Sequence, residues 1–183
     1  MTVPGEHRGR RASVFGSAMS APGTPTYETV RRLGRLLAEA GYTVCTGGYL
    51  GAMAAASQGA REAGGQVVGV TVAPWADART PNRWLTEEIA TTTLHERLQR
   101  LLESDVLLAV DGGVGTLAEM ALGWNLRQKG ATQAPLILIG PHWRRVVAVL
   151  AETLSITPAD LALLALVDTP EAAVALLPGP RTR

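Results

Sequence analysis

The sequence predicts an α/β domain with a doubly wound, Rossmann-like parallel sheet and helices on both faces. Short, continuous apolar runs alternate with segments in which apolar residues recur at helical spacing. Continuous apolar runs are typical of strands buried on both faces, as in parallel sheets. Glycine turns follow several of these runs, and such sheets bind ligands where their strands end.

The first half of the chain predicts three strands and two helices. The strands are expected at residues 12–15, 42–46 and 66–72, and the helices at 25–40 and 52–63. Thr24 and Pro25 have the residue types of an N-cap and a first helical position, and Gly41 is typical of a helix end.

The second half continues the alternation after a long loop at residues 73–86. A short extended segment is expected at 87–91, followed by a helix that Thr92 or Thr93 caps and that runs through Glu103. The remaining strands are predicted at 106–110, 136–139 and 165–167, and the remaining helices at 116–128, 143–153 and 170–177.

Length and composition predict one domain and exclude several function classes. The chain has 183 residues, so we expect a single domain at 11–178 between a disordered basic tail, 1–10, and a short tail, 179–183. A net charge of +1 does not generate the positive electrostatic potential that attracts nucleic acid, so we expect no nucleic-acid partner. We find neither a membrane-spanning apolar run nor a secretory signal, so we expect no membrane partner.

Cysteine and lysine are each present once. Cys45 alone permits no intrachain disulfide, so we expect a cytoplasmic protein in which this thiol is packed in a strand. Lys129 is the only lysine and lies at a predicted helix end. A Walker P-loop, which needs Gly-Lys-Ser/Thr, is therefore absent, and a Schiff-base lysine is poorly placed.

The most informative segment is Asp111–Glu119, with the sequence DGGVGTLAE. It follows an apolar run and leads into a helix, an arrangement that directs backbone N–H groups and the helix dipole at an anion. Gly16-Ser17 and Gly47-Gly48 follow two other predicted strands. Three glycine turns on one edge of a sheet predict a single site of nucleotide size.

Arg97 and Glu119 are the side chains best suited to act at this site. Arg97 lies at the edge of a leucine stripe on its helix, where it either covers apolar surface or clamps an anion, and the helical wheel does not decide between these. Glu119 follows the glycine turn among apolar neighbours, so we favour a catalytic acid over a first-turn acid that is merely stabilised by the helix dipole. The direction of its pKa shift is open, because burial raises it and the dipole lowers it.

Other polar and aromatic residues are expected to be structural. His7, His95 and His142 lack metal-ligand spacing and Asp77 and Asp105 are isolated, so no metal site is predicted. Trp75 and Trp84 lie in the long loop, where packing is slightly favoured over stacking on a base.

The segment Asp111–Glu119 resembles the hallmark of the LOG family, Pro-Gly-Gly-x-Gly-Thr-x-x-Glu. This family, once labelled "possible lysine decarboxylase", is related to the Rossmann-like SLOG superfamily. Leu94–Leu98 is similar to the family's Met-x-x-Arg-Lys element, and the segments 14–17 and 46–53 are similar to its two upstream turns. The resemblance covers roughly residues 12–139.

The resemblance implies a phosphoribohydrolase that cleaves the N-glycosidic bond of nucleoside 5′-monophosphates, including cytokinin forms, without a cofactor. By the motif, Arg97 and Glu119 are catalytic. The expected phosphate- and nucleotide-binding residues are Gly16, Ser17, Gly47, Gly48, Gly112, Gly113, Val114, Gly115 and Thr116. The resemblance also implies a homodimer, which agrees with a helix after the glycine turn that is apolar almost all round and predicted to be buried on two sides.

The sequence departs from the LOG pattern at several positions. Asp111 replaces the proline of the motif, and Leu94 and Leu98 replace the methionine and the lysine. These features are similar to a related branch that includes molybdenum-cofactor carrier proteins. A nucleotide- or cofactor-binding protein that uses the same phosphate cradle is therefore the alternative to a hydrolase.

Overall fold

A seven-stranded parallel sheet forms the centre of the molecule in the computed structural model, which describes residues 9–73 and 80–177. The strands are β1 (Arg11–Phe15), β2 (Thr43–Thr46), β3 (Val67–Val72), β4 (Glu87–Thr91), β5 (Val106–Ala109), β6 (Leu136–Ile139) and β7 (Leu164–Val167). The helices are α1 (Pro25–Glu39), α2 (Ala52–Glu62), α3 (Leu94–Leu102), α4 (Val114–Gln128), α5 (His142–Thr153), α6 (Pro158–Leu161) and α7 (Pro170–Ala175).

The strand order reverses between β1 and β5. The sheet has the order β4-β3-β2-β1-β5-β6-β7, so β1 pairs in parallel with both β2 and β5. The chain first builds outward on one side of β1 and then returns to build outward on the other side. The loops that leave β1 and β5 therefore diverge at their carboxyl ends and open a crevice for a ligand.

Helices cover both faces of this sheet, as the sequence predicts. One apolar cluster joins the sheet to α1, α2 and α7, and a second joins it to α3, α4 and α5. Side chains alternate between the two clusters along each central strand, as Leu107 and Leu108 of β5 show. The predicted doubly wound, single-domain α/β fold is confirmed.

The predicted elements differ from the observed ones mainly at their ends. α4 begins at Val114 rather than at Thr116, because the helix already starts within the glycine turn. α6 was not predicted, although Thr157 and Asp160 form a capping box at its start. No helix in the described part of the chain has the length and apolar character needed to cross a membrane.

The predicted tails lie almost entirely outside the described residues. Arg10, at the end of the segment that we assigned to the basic tail, packs on the domain instead. Its guanidinium lies 4.2 Å from the centre of the Tyr42 ring and donates to the Tyr42 hydroxyl at 3.0 Å. The ordered domain therefore includes Arg10.

The two helices that precede the site pack with their backbones in close contact. A Cβ added to Gly34 of α1 lies 2.0 Å from the carbonyl oxygen of Ala56 in α2, and one added to Gly59 of α2 lies 1.7 Å from that of Arg31. Glycine is needed at both positions because no side chain fits between the helices. This contact fixes α2, whose N-terminus borders the crevice.

We expect Gly34→Ala to destabilise the protein although alanine favours helices by about 1 kcal/mol over glycine. The added methyl group forces α1 and α2 apart, and overpacking of this kind costs about 1–3 kcal/mol. Thermal unfolding of the ligand-free protein measures the effect. Gly115→Ala is the matched control, because a Cβ at this helical glycine meets no atom within 4 Å. Equal melting temperatures for Gly34→Ala and wild type would contradict the packing argument.

Candidate active site

Three turns meet at the crevice between β1 and β5. The backbone N–H of Ser17, after β1, donates to the carbonyl of Asp111, after β5, at 3.0 Å. The Ser17 carbonyl in turn accepts from the N–H of Ala52 at the start of α2, at 2.8 Å. Gly51 has φ +67°, and a Cβ there lies 2.3 Å from the Ser17 carbonyl oxygen. Backbone hydrogen bonds therefore tie the predicted turns together at one edge of the sheet.

The glycine turn after β5 forms an open helix N-terminus. Gly113 is the N-cap of α4, and within the described chain no side chain caps the helix there. Neither Gly113 nor Gly115 has an atom within 4 Å of an added Cβ, and both residues are exposed, so the turn is open to a ligand. A Cβ at Gly112 lies 2.1 Å from the hydroxyl oxygen of Thr116, which closes the turn tightly. An anion is favoured here by the N–H groups and the helix dipole.

Arg97 is buried and points at the edge of the sheet. Its Nε donates to the carbonyl oxygen of Val70 in β3 at 2.9 Å, and its Nη1 lies 3.6 Å from Oε1 of Glu119. A Cβ at Gly47 lies only 1.7 Å from the Arg97 Nη2, so this guanidinium requires glycine at position 47. Arg97 is therefore buried beside a carboxylate and does not cover exposed apolar surface.

Glu119 completes a buried ion pair beside the glycine turn. Only 12% of its side chain is exposed, against 8% for Arg97. Burial raises the pKa of Glu119 from 4.5 to about 7, and the positive charge of Arg97 opposes that rise. The direction that the sequence left open is therefore upward, because desolvation outweighs the attraction of one guanidinium.

A cavity of about 390 Å³ connects these groups. Backbone and small polar groups form part of its lining. The predicted residues that line the cavity are Gly16, Ser17, Gly47, Arg97, Gly113, Gly115, Thr116 and Glu119. A charged pair and a helix N-terminus therefore face the same space.

Three predicted binding residues lie behind this surface or point away from it. Gly48 supports the turn after β2 with φ +80°, and Gly112 packs against Thr116. Val114 points outward, with 85% of the residue exposed. None of these three residues lines the cavity in the described structure. Asp111 is also outside the cavity lining, and its backbone carbonyl is occupied by Ser17.

Apolar side chains form another part of the cavity lining, which we call the apolar wall. Five residues from three different segments form it: Met19, Tyr49, Met53, Leu94 and Leu98. They are far apart in the chain, and their spacing alone does not indicate a common surface, although the segments 46–53 and Leu94–Leu98 both resemble LOG motifs. Only the strand order brings them together.

Several candidates that the sequence offered are structural in the described residues. Trp84 stacks under the Arg83 guanidinium at 4.5 Å and is not part of the cavity wall, and Asp105 accepts from the backbone N–H of Arg11. Cys45 is buried in β2. Trp75, Asp77 and His7 lie outside the described residues. No group of three His, Cys, Asp or Glu residues suited to a metal ion occurs within 9–73 and 80–177.

Comparison of the sequence with known protein families identifies the family to which this chain belongs. The sequence model of the SLOG cluster4 family matches residues 10–165. The chain belongs to the SLOG cluster4 family. This confirms the predicted relation to the LOG and SLOG proteins.

A protein of Mycobacterium tuberculosis named cytokinin riboside 5′-monophosphate phosphoribohydrolase is a relative of this SLOG cluster4 chain. The two are 32% identical over 130 residues, which span 68% of this chain and 70% of the relative. The name of this relative states the activity that the resemblance to the LOG motif implies.

Solved structures of similar proteins are named for a different role, the binding of molybdenum cofactor. The molybdenum cofactor binding protein of Rippkaea orientalis superposes with a TM-score of 0.74 at 26% identity, covering 93% of this chain and 96% of that one. The molybdenum-cofactor carrier protein of Chlamydomonas reinhardtii gives 0.70 at 29% identity, covering 92% and 94%. Proteins with this fold therefore have names that describe different roles.

We expect the raised pKa of Glu119 to make folding stability depend on pH. Below pH 4.5 the carboxyl is protonated in both states, but between pH 4.5 and 7 it ionises first in the unfolded chain. Wild type should therefore lose on the order of 3 kcal/mol relative to Glu119→Gln across this window, and the difference should then stay constant above pH 7.

Chemical denaturation of both proteins from pH 4 to pH 8 measures this difference. Glu103→Gln, at the exposed end of α3, is the control: it retains Glu119 and should lose the same stability as wild type across this window. A constant difference between wild type and Glu119→Gln at all pH values would show that Glu119 titrates normally.

Proposed function

We propose that this protein is a nucleoside 5′-monophosphate phosphoribohydrolase that yields a free base and ribose 5-phosphate. The observation that carries the proposal is the buried Arg97–Glu119 pair, which shares one cavity with the open N-terminus of α4. A perturbed acid in a cleft beside an anion site is typical of a catalytic centre. A protein that only holds a phosphorylated ligand has no chemical need for such an acid.

The phosphate is expected to bind the N-terminus of α4, where Gly113, Gly115 and Thr116 face the cavity. This contact is remote from the reacting bond, so its binding energy fixes the sugar in place. The base then lies toward the apolar wall, where Tyr49 and Met53 offer contacts to an aromatic face.

Glu119 acts on the sugar in this proposal. As the bond between C1′ and the base nitrogen breaks, its electron pair leaves with the base and positive charge develops on the sugar. The ionised carboxylate stabilises that charge and orients a water molecule. The water oxygen bonds to C1′, its proton passes to Glu119 and then to solvent, and the base nitrogen takes up a proton from solvent.

Arg97 has a double role in this scheme. Its bond to the Val70 carbonyl fixes the guanidinium, and its charge counteracts the rise in the pKa of Glu119. A larger fraction of Glu119 is therefore ionised near neutral pH. The same guanidinium is available to contact the substrate from the side of Glu119.

Incubation with AMP and isopentenyl-AMP, followed by chromatography, tests the proposal. Wild type should release free base, and Glu119→Gln should lower kcat by about 10²–10⁴-fold, because a neutral amide cannot stabilise the developing charge. Glu103→Gln should leave kcat unchanged. The rate should rise with pH up to about 7, and Arg97→Met should move this rise to higher pH.

Absence of free base from a panel of monophosphates would refute the hydrolase. A binding or carrier protein is the second candidate, favoured by the superposition on the molybdenum cofactor binding protein over 93% of this chain. Calorimetric binding of a nucleotide or a pterin phosphate, with the ligand recovered intact, would then identify that function.

We also propose that a second copy of the chain covers α4. This helix was expected to be buried on two sides, but one of its faces is exposed in the single chain. Val114, Leu117 and Leu122 are 85%, 40% and 38% exposed. An apolar face of this kind beside a site is typical of a subunit interface.

Leu122→Glu should convert a dimer to a monomer, because it places a charge in this proposed interface. Light scattering measures the mass. Leu176→Glu is the matched control, since Leu176 is exposed after α7 on the opposite side of the sheet. A monomeric wild type would contradict the proposed dimer and would leave the hydrolase proposal to its own test.

A further inference from the structure

Asn82 is a buried polar residue that the proposed reaction does not use. It lies in the segment before β4 and is 9% exposed. No sequence motif marks it, because a single asparagine in a loop is common. Its side chain nevertheless makes three hydrogen bonds to backbone.

Most of these bonds are directed at the turn that follows β2. The Asn82 Nδ2 donates to the carbonyl oxygens of Gly48 at 3.1 Å and Tyr49 at 3.0 Å. The backbone N–H of Asn82 also donates to the Gly48 carbonyl, at 2.8 Å. The Asn82 Oδ1 accepts from the N–H of Trp84 at 3.1 Å, which fixes the amide in one orientation.

The turn that Asn82 binds is also the support of Arg97. Gly47, the residue before the bonded pair, contacts the Arg97 guanidinium so closely that no Cβ fits between them. Gly48 is held by its own N–H, which donates to the Thr46 hydroxyl at 3.1 Å, and by contact with Thr71. A displacement of this turn would therefore be transmitted directly to Arg97.

The same turn carries part of the apolar wall. Tyr49 lines the cavity, and its hydroxyl accepts from the backbone N–H of Val72 at 2.9 Å. Arg97 is bonded to Val70 of the same strand, β3. The Arg97 guanidinium and the Tyr49 hydroxyl are thus both hydrogen-bonded to β3. Asn82 binds the backbone of the turn that contacts the guanidinium and carries the tyrosine.

We propose that Asn82 is a positioning residue, which fixes the turn after β2 so that Arg97 stays beside Glu119. This proposal rests on the proposed function for its effect on catalysis, but the geometric part stands without turnover. Asn82 is not among the residues that line the cavity, and none of its hydrogen bonds within the described residues reaches the turn after β5. Its loss should therefore affect the Arg97–Glu119 pair and leave phosphate binding intact.

The first test measures the titration of Glu119 in the ligand-free protein by NMR of ¹³C-carboxyl-labelled glutamate. Asn82→Ala should raise the titration midpoint by about half a pH unit or more, because Arg97 withdraws from Glu119. Gly47→Ala, which displaces Arg97 directly, should shift it in the same direction. Gln99→Ala, on the exposed side of α3, is the control and should leave the midpoint unchanged.

The second test compares catalysis with binding. Asn82→Ala should lower kcat for AMP about tenfold, while the affinity for ribose 5-phosphate stays within twofold of wild type. An unchanged Glu119 midpoint in Asn82→Ala would overturn the proposal, as would a parallel loss of kcat and ribose 5-phosphate affinity. Should Asn82→Ala not fold, Asn82→Ser is subjected to the same two measurements.

The two proposals fail in different ways. A wild-type protein that releases no base contradicts the hydrolase, yet the NMR titration still decides whether Asn82 acts on Arg97 and Glu119. Conversely, an active wild type whose Glu119 titration is insensitive to Asn82 refutes only the positioning role.

Discussion

The burial of one guanidinium group, that of Arg97, constrains the whole edge of the sheet. An arginine does not lose its charge when it is buried, so it needs hydrogen-bond acceptors and a counter-charge in place of water. Val70 provides a backbone carbonyl and Glu119 provides the negative charge. The space for the guanidinium exists because residue 47 is glycine.

This burial also sets the chemistry of Glu119. The carboxylate lies among apolar groups, and one guanidinium at 3.6 Å does not fully compensate for the lost water. Its pKa is raised to about 7, where small displacements of Arg97 change the ionised fraction most. A constant pKa at Glu119 therefore requires that Arg97 be held in a fixed position, and the turn after β2 packs closely against its guanidinium.

The fold itself does not choose between a hydrolase and a carrier. A glycine turn at the switch point of a parallel sheet holds phosphate in either case, and related proteins with this fold have names of both kinds. The difference depends on whether the acid beside the cradle reaches a reacting bond. Asp111, which departs from the LOG pattern, bears less on this question than its position in the motif indicates, because its side chain lies outside the cavity lining.

The sequence by itself determined the α/β class, most strand positions, the glycine turn and the two side chains of the ion pair. These are local signals, carried by apolar runs, glycines and helix starts. Tertiary structure alone decided that Arg97 is buried, that the pKa of Glu119 rises, that Tyr49 and Met53 line the cavity, and that Asn82 binds the turn beside it. Burial and desolvation depend on neighbours from distant strands, and the order β4-β3-β2-β1-β5-β6-β7 that makes them neighbours leaves no local trace in the chain.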